Sequence, residues 1–468
     1  MYFLDHPLGS DGRRSAGDGA FARAGREGTR KVSMRRTFAR RTAVIGSTAL
    51  LLLGPAVAIA QAEPETEPAQ TSSLPAELVE ALQRDLKIDA ERFLADAQRS
   101  QELAAFAEKA REQFDAVFAG VWLDDRGTPT VGLTEGDGFD EARTAAEDAG
   151  FTVAETQRSE DALEEQLGAL GDWLETQPPA VADVIRGIAV DVVNNDVVVR
   201  TDNVSGVELP DFLDGVRVLF APAELTPEGA TDLQPIAGGL GAPDALFGGD
   251  AYAALGAGEG LRCSLGFNAE DGSGRPVNIT AGHCDPNRAQ AGTRWASQVH
   301  QLVGDNLGQH LGSFEKTVLD RSDYALIRPS AEAAARFENN GVRVPFAAPL
   351  TITGVADPVV GTPVCKSGLR TGYSCGVVTA ANQNVEIGHR VLENGFSTNL
   401  CALQGDSGGT LVTGTLALGI SSASNVGQYG MCEIAGFVSG LLGETPELFA
   451  TPIKTVLAEN PGLKVRTW

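Results

Sequence analysis

The stretch Gly405-Asp406-Ser407-Gly408-Gly409 sets a hydroxyl among glycines, where a tight backbone can bring two amides beside it. A serine hydroxyl is a weak nucleophile at neutral pH. It needs a base to take its proton and a third group to hold that base in one tautomer. The same five residues fit G-x-S-x-G, the turn on which α/β-hydrolases carry their nucleophile, but that fold places its histidine after the serine. All five histidines here, His6, His283, His300, His310 and His389, precede Ser407. The order histidine, aspartate, serine is open. His283 stands in Thr280-Ala281-Gly282-His283-Cys284, where the adjacent cysteine can tether the loop that carries the ring. Asp323 opens the apolar run Tyr324-Ala325-Leu326-Ile327, so a half-buried carboxylate there can face a ring nitrogen of His283. Each residue also has a plainer reading, His283 as a structural histidine and Asp323 as the cap of a turn. His300, His310 and His389 have no tether and read as surface or loop residues.

From Leu246 onward, short runs of β-branched and aromatic residues alternate with glycine-rich turns, and one helix is expected near the end, around 452–459. Many short strands with frequent turns point to an antiparallel barrel or sandwich. Residues 63–245 differ in texture. Leu78, Leu82, Leu86, Phe93, Leu94, Leu103, Phe106, Ala110 and Phe114 recur at helical spacing, which predicts two or three amphipathic helices. Short strands are expected at 121–123 and 130–133, helices at 141–149 and 159–176, and a hairpin over 187–200 turning near Asn194-Asn195. Residues 226–244 are rich in Gly, Pro and Ala and read as a connector.

Charge divides the chain in the same way: +6 over residues 1–62, −27 over 63–245 and −4 over 246–468. No basic stripe points to nucleic acid. All six cysteines, Cys263, Cys284, Cys365, Cys375, Cys401 and Cys432, fall in the last segment. An even count in an exported chain reads as disulfides, with fifteen pairings possible, and the absence of any Cys-x-x-Cys argues against zinc. Residues 34–62 carry Arg35, Arg36, Arg40 and Arg41, then an uncharged apolar run and small residues at Ala58-Ile59-Ala60 and Ala60-Gln61-Ala62, the pattern of an export signal. A membrane span is the alternative. Residues 1–33 read as an uncertain extension upstream of Met34.

Taken together, Gly248-Gly249-Asp250-Ala251-Tyr252, Arg262-Cys263-Ser264-Leu265-Gly266-Phe267-Asn268, Thr280 to Cys284, Asp323-Tyr324-Ala325, Cys365-Lys366-Ser367-Gly368 to Cys375-Gly376, and Gly405 to Gly409 carry a resemblance. Residues 246–468 resemble the chymotrypsin-like serine proteases secreted by actinobacteria, the streptogrisins and alpha-lytic protease. The resemblance implies an all-β protease domain of two six-stranded antiparallel barrels with the site between them, preceded by an α+β pro-domain over 63–245. It also implies catalysis by His283, Asp323 and Ser407 with an oxyanion hole from the amides of Gly405 and Ser407, and the disulfides Cys263–Cys284, Cys365–Cys375 and Cys401–Cys432. In such proteases the aspartate before the nucleophile is buried against a basic side chain, and Lys366 occupies that position toward Asp406. The substrate edge corresponds to the strand ending in Ser422, Ala423 and Ser424, with Gln404 beside it. Relatives usually carry two glycines where Ala423 and Ser424 stand, and the added side chains point to small or medium apolar side chains in the primary pocket. Cys401 occupies the position at which trypsin-like enzymes carry an aspartate. Glu433 is a candidate for attracting a basic group, or simply faces water.

These observations lead to an exported serine endopeptidase made as a zymogen, needing no cofactor. Its partners are protein or peptide substrates and its own pro-domain, which would assist folding, block the cleft and be cleaved away near 245–248; the mature enzyme would be monomeric and bacterial. The competing class is a silent protease homologue that binds a partner through the same cleft.

Overall fold

A computed structural model describes residues 74–202, 209–213, 215–220, 226–227, 244–304, 306–387, 390–427, 429–441 and 445–468. The expected export signal and His389 lie outside the described residues.

Seven strand segments begin the C-terminal part: β7 (Ala251–Gly256), β8 (Glu259–Ser264), β9 (Asn268–Glu270), β10 (Pro276–Thr280), β11 (Gln298–Val303), β12 (Asn306–Leu319) and β13 (Asp323–Pro329). They pair in the order β9-β10-β13-β12-β11-β7-β8. The two ends of this list are one bent strand, because β8 runs through Leu265–Phe267 into β9 and keeps its pairing on the way: Gly249 N donates to Leu265 O, and Ile279 N to Phe267 O. The sheet therefore closes on itself as a six-stranded barrel. Its interior is filled by Leu265, Val299, Leu311, Phe314 and Ile327, all fully buried.

The second barrel uses β14 (Pro363–Gly368), β15 (Gly372–Ile387), β16 (Arg390–Thr398), β17 (Thr410–Thr413), β18 (Leu416–Ser424) and β19 (Leu448–Pro452). The order is β14-β17-β18-β19-β16-β15, and β15 pairs back to β14, closing a second ring. Val364, Val378, Phe396, Leu411, Leu418 and Leu448 fill it. Closure satisfies the backbone groups that an open edge would leave unpaired. The helix expected around 452–459 is present at Ile453–Ala458. It is not the only one in this part: a helix also spans Cys432–Leu441. Its glycines, Gly436 and Gly440, and β-branched residues masked the helical pattern in the sequence.

The N-terminal part has α1 (Ala76–Ala81), α2 (Ala90–Gln113), β1 (Phe118–Leu123), β2 (Pro129–Thr134), α3 (Phe139–Asp148), β3 (Thr152–Thr156) and α4 (Glu160–Glu175), then the strands β4 (Ile185–Asp191), β5 (Asp196–Thr201) and β6 (Arg217–Phe220). Asp89 and Ser159 cap α2 and α4 by accepting from Arg92 N and Ala162 N. The β4–β5 turn places Asn195 at φ 56°, a left-handed position that asparagine tolerates. The strand β3, which the sequence reading did not anticipate, lies parallel to β2.

This part is built onto the barrels. Leu78, Leu82 and Phe93 are fully buried in one apolar cluster with Tyr324, Val412 and Ile420, and burying each such side chain stabilises by about 1.5–3 kcal/mol. Asp85 Oδ2 accepts from Cys375 N at 2.9 Å, and Gln101 and Asp357 exchange two hydrogen bonds. Strand β4 adds to the edge of β15, Gly187 opposite Val385 and Ile188 opposite Asn384. Further on, Thr226 and Pro227 pair antiparallel with Ser424 and Ala423.

Candidate active site

His283 lies in a single turn (Gly282–Cys284) at the end of β10, Asp323 is the first residue of β13, and Ser407 sits in the turn before β17. Strand β10 pairs directly with β13, which brings the first two together. The His283 Nδ1–H donates to Asp323 Oδ2 at 2.6 Å, and Ser407 Oγ, at 2.7 Å, donates to His283 Nε2. Asp323 is 2% exposed. It also accepts from Gly282 N (2.7 Å), His283 N (3.0 Å) and Ser422 Oγ (2.5 Å). Burial alone would raise this carboxyl, but attraction to the His283 ring and the bonds from His283 and Ser422 outweigh it and hold it below the usual carboxylate range.

The turn carrying Ser407 depends on two glycines. Gly405 has φ 107° and Gly408 φ 78°, conformations that side chains disfavour. A Cβ on Gly408 would lie 2.0 Å from Thr280 Oγ1 and 2.7 Å from Ser264 O, so the turn presses against the strands bearing His283. Among the described residues no backbone carbonyl takes the amides of Gly405 or Ser407. Ser264 anchors the far side, donating from Oγ to Gly405 O at 2.8 Å and accepting from Leu369 N. The sequence reading passed over Ser264 as a binding residue, since nothing local marks a buried serine whose partners are more than 100 residues away.

Asp406, fully buried, accepts from Lys366 Nζ at 3.2 Å, from Thr371 Oγ1 at 2.7 Å and from the amides of Leu403, Arg370 and Thr371. Lys366 is equally buried and also reaches Thr371 Oγ1. Thr371 was not singled out from sequence. The structure joins Cys263 to Cys284, Cys365 to Cys375 and Cys401 to Cys432. The first ties β8 to the His283 turn, and the last ties the run before Gln404 to the helix Cys432–Leu441. Gln404 N donates to Gly427 O at 3.3 Å. His300 and His310 face each other across β11 and β12, with ring centroids 5.2 Å apart, and take no part in the His283 cluster. Among the described residues no group of three or more His, Cys, Asp or Glu could hold a metal ion, and no helix is long and apolar enough to cross a membrane.

A hydroxyl, an imidazole and a buried carboxylate in line, beside two amides, form an arrangement for acyl transfer. Residues 277–438 match the trypsin family. Serine protease 2 of Streptomyces fradiae is 38% identical over 194 residues, 41% of this chain and 99% of that protein. Streptogrisin-D of Streptomyces griseus is 34% identical over 250 residues, 53% of this chain; the chain spans 55% of that protein's length. Streptogrisin-C of the same organism is 28% identical over 415 residues, 86% of this chain and 81% of that protein. A solved Nocardiopsis protease (NAPase) is 30% identical and covers 48% of this chain and 100% of its own, with a TM-score of 0.37. The chain belongs to the trypsin family. Within it, the chain falls among the bacterial chymotrypsin-like serine proteases, which are serine endopeptidases.

Proposed function

We propose that the protein is an exported serine endopeptidase made as a zymogen, and that His283, Asp323 and Ser407 are its catalytic residues. The observation that carries this is the unbroken relay of 2.6 and 2.7 Å contacts from Asp323 through His283 to Ser407. As Ser407 Oγ attacks a peptide carbonyl, His283 Nε2 takes its proton, and Asp323 holds the Nδ1–H and stabilises the imidazolium. The amides of Gly405 and Ser407 donate to the oxyanion; losing one such donor typically raises the barrier by roughly 3 kcal/mol. His283 then returns the proton to the leaving amine, and water, activated the same way, releases the acyl group from Ser407. No cofactor is needed, and the substrates are proteins or peptides.

Residues 63–245 act in this reading as a folding template and inhibitor. Barrels closed by distant strand pairings fold slowly, and a segment that adds a strand to β15 lowers that cost. Thr226 and Pro227 lie on the strand that ends in Ser422, Ala423 and Ser424, where an extended substrate would pair. The similarity to streptogrisin-C runs through both parts of the chain. Export through residues 34–62, release near 245–248 and a monomeric mature enzyme complete the proposal. Leu246, buried with its amide on Arg336 O, is built into the first barrel and stays with it.

The test is to treat the secreted, processed protein with a fluorophosphonate and locate the adduct by peptide mass spectrometry, with His283→Ala as control. Labelling of Ser407 that depends on His283 is expected. Folded protein that takes no label would overturn the catalytic assignment.

A further inference from the structure

Asp285 is a buried carboxylate that the reaction above does not use. It stands two residues after His283, is 1% exposed and closes the turn that carries the ring, its amide donating to Gly282 O at 3.1 Å. Its Oδ1 accepts from Asn287 N at 2.9 Å and from Ser297 Oγ at 2.5 Å, and its Oδ2 from Thr317 Oγ1 at 2.7 Å. Thr317 lies on β12, which pairs with β13, the strand headed by Asp323. A Cβ on Gly256, at the end of β7, would lie 2.3 Å from Ser297 Oγ, so that hydroxyl sits in a close fit.

The three donors are two hydroxyls and an amide, and among the described residues no cation contacts Asp285. Lys316, beside Thr317, donates instead to Asn460 Oδ1 at 2.7 Å, and Arg288 is exposed. Taking an anion out of water without a cation is unfavourable. A neutral amide of the same shape would meet the same donors, its oxygen taking Asn287 N and Ser297 Oγ and its NH2 facing the Thr317 hydroxyl, which can accept. The bonds explain where the group sits; they do not require its charge. What lies in reach of the charge is the base. Burial raises the Tyr252 phenol above its usual range, a bond to Thr280 opposes, and repulsion from Asp285 and Asp323 adds to the rise. The two carboxylates thus act on one buried region behind the His283 turn.

We propose that Asp285 is a positioning residue for the catalytic base: it clamps the His283 turn to β12, and its fixed negative charge stabilises the imidazolium that forms as Ser407 loses its proton. This rests on the protease reading above and adds a second carboxylate to Asp323. Both ring nitrogens are taken, by Asp323 and Ser407. Asp285 therefore acts through the turn and through space, where a buried charge is screened less than one in open water.

The experiment follows the rate constant for fluorophosphonate labelling of Ser407 against pH, in processed enzyme produced from the full chain, for wild type, Asp285→Asn and Ser297→Ala. With the charge gone, the ring binds its proton less tightly. The acid limb of the Asp285→Asn profile is expected about half to one unit lower in pH, and its plateau roughly tenfold lower. Ser297→Ala keeps the charge and loses one donor, so its acid limb should stay at the wild-type pH whatever the height of its plateau. An Asp285→Asn limb at the wild-type pH, or a Ser297→Ala limb displaced as far, makes Asp285 a clamp alone and overturns the inference while the protease reading stands. If Asp285→Asn yields no folded enzyme, Asp285→Ser, neutral and smaller, is read in the same way. Folded wild-type enzyme that takes no label at any pH overturns the protease reading instead.

Discussion

Lys366 Nζ lies 3.2 Å from Asp406 Oδ2, with both side chains fully buried, one residue before the nucleophile. The pair holds the turn that presents Ser407, and the ammonium matters because, among the described residues, no other side-chain cation contacts Asp406. Leaving one member of a buried pair without the other typically costs about 3–5 kcal/mol. Lys366→Met is expected to lower the unfolding free energy extracted from urea titration by that order and to remove fluorophosphonate reactivity at Ser407. A stable, fully reactive Lys366→Met enzyme would show that the hydroxyl and amides around Asp406 suffice.

Gly408→Ala tests the oxyanion turn. The new methyl would meet Thr280 Oγ1 and Ser264 O well inside van der Waals contact, at a φ that alanine disfavours. The expected result is loss of activity by at least a hundredfold, with the far-ultraviolet spectrum retained if the protein still folds. Activity within threefold of wild type would mean that the strands carrying Thr280 and Ser264 can yield.

Ser422→Ala removes one donor from Asp323. A hydrogen bond to a charged group contributes about 1.5–3 kcal/mol, so kcat is expected to drop roughly ten- to a hundredfold with KM little changed. The pH consequence has a definite sign. Asp323 is depressed in the folded state, so its stabilising contribution is present above the ordinary carboxylate value and is lost as pH falls through the depressed one. Without Ser422 Oγ that depression shrinks, and acid unfolding should begin at higher pH. An acid transition at the wild-type pH would refute the link.

The N-terminal part should respond to pH in the opposite sense. Burial raises the Glu164 carboxyl, repulsion from Glu160 and Asp161 adds to it, and Arg111 only partly opposes. Burial likewise raises Asp96 against Arg92 and Arg99. Groups raised in the folded state contribute stability that is complete below their ordinary value near pH 4 and is lost as pH rises through the folded one. In the full-length Ser407→Ala chain, unfolding of this part is expected to need more urea at pH 5 than at pH 7.5, and Glu164→Gln should narrow that difference. An unaltered pH slope in the variant would remove Glu164 from the account.

Ile188→Pro tests the added strand. Ile188 pairs with Asn384 at the edge of β15, and proline removes a ladder donor. The yield of processed enzyme from the full chain is expected to fall several-fold, with the specific activity of what does fold unchanged. An undiminished yield would argue that the apolar contacts of Leu78, Leu82 and Phe93 alone serve the barrels.

Much of this was legible in the chain. Residue types and order excluded a hydrolase arrangement and left His283, Asp323 and Ser407 open as one set; the resemblance of their flanking residues joined them, and the fold brings the three within 2.6 and 2.7 Å contacts. Local periodicity marked α2, α4 and the β4–β5 hairpin, since apolar spacing and Asn194-Asn195 are short-range signals. The same short-range reading missed the helix at Cys432–Leu441, where glycines weaken the pattern. What only the tertiary structure decided lies in contacts between residues far apart in sequence. The closing of each barrel, Ser264 on Gly405, Thr371 between Lys366 and Asp406, Arg370 across to Gly430, and Thr226–Pro227 on the Ser424 edge all join side chains or backbone that no local pattern links. Residue identity states which chemistry is possible; chain folding, by bringing distant strands into register, sets which atoms are within bonding distance to perform it.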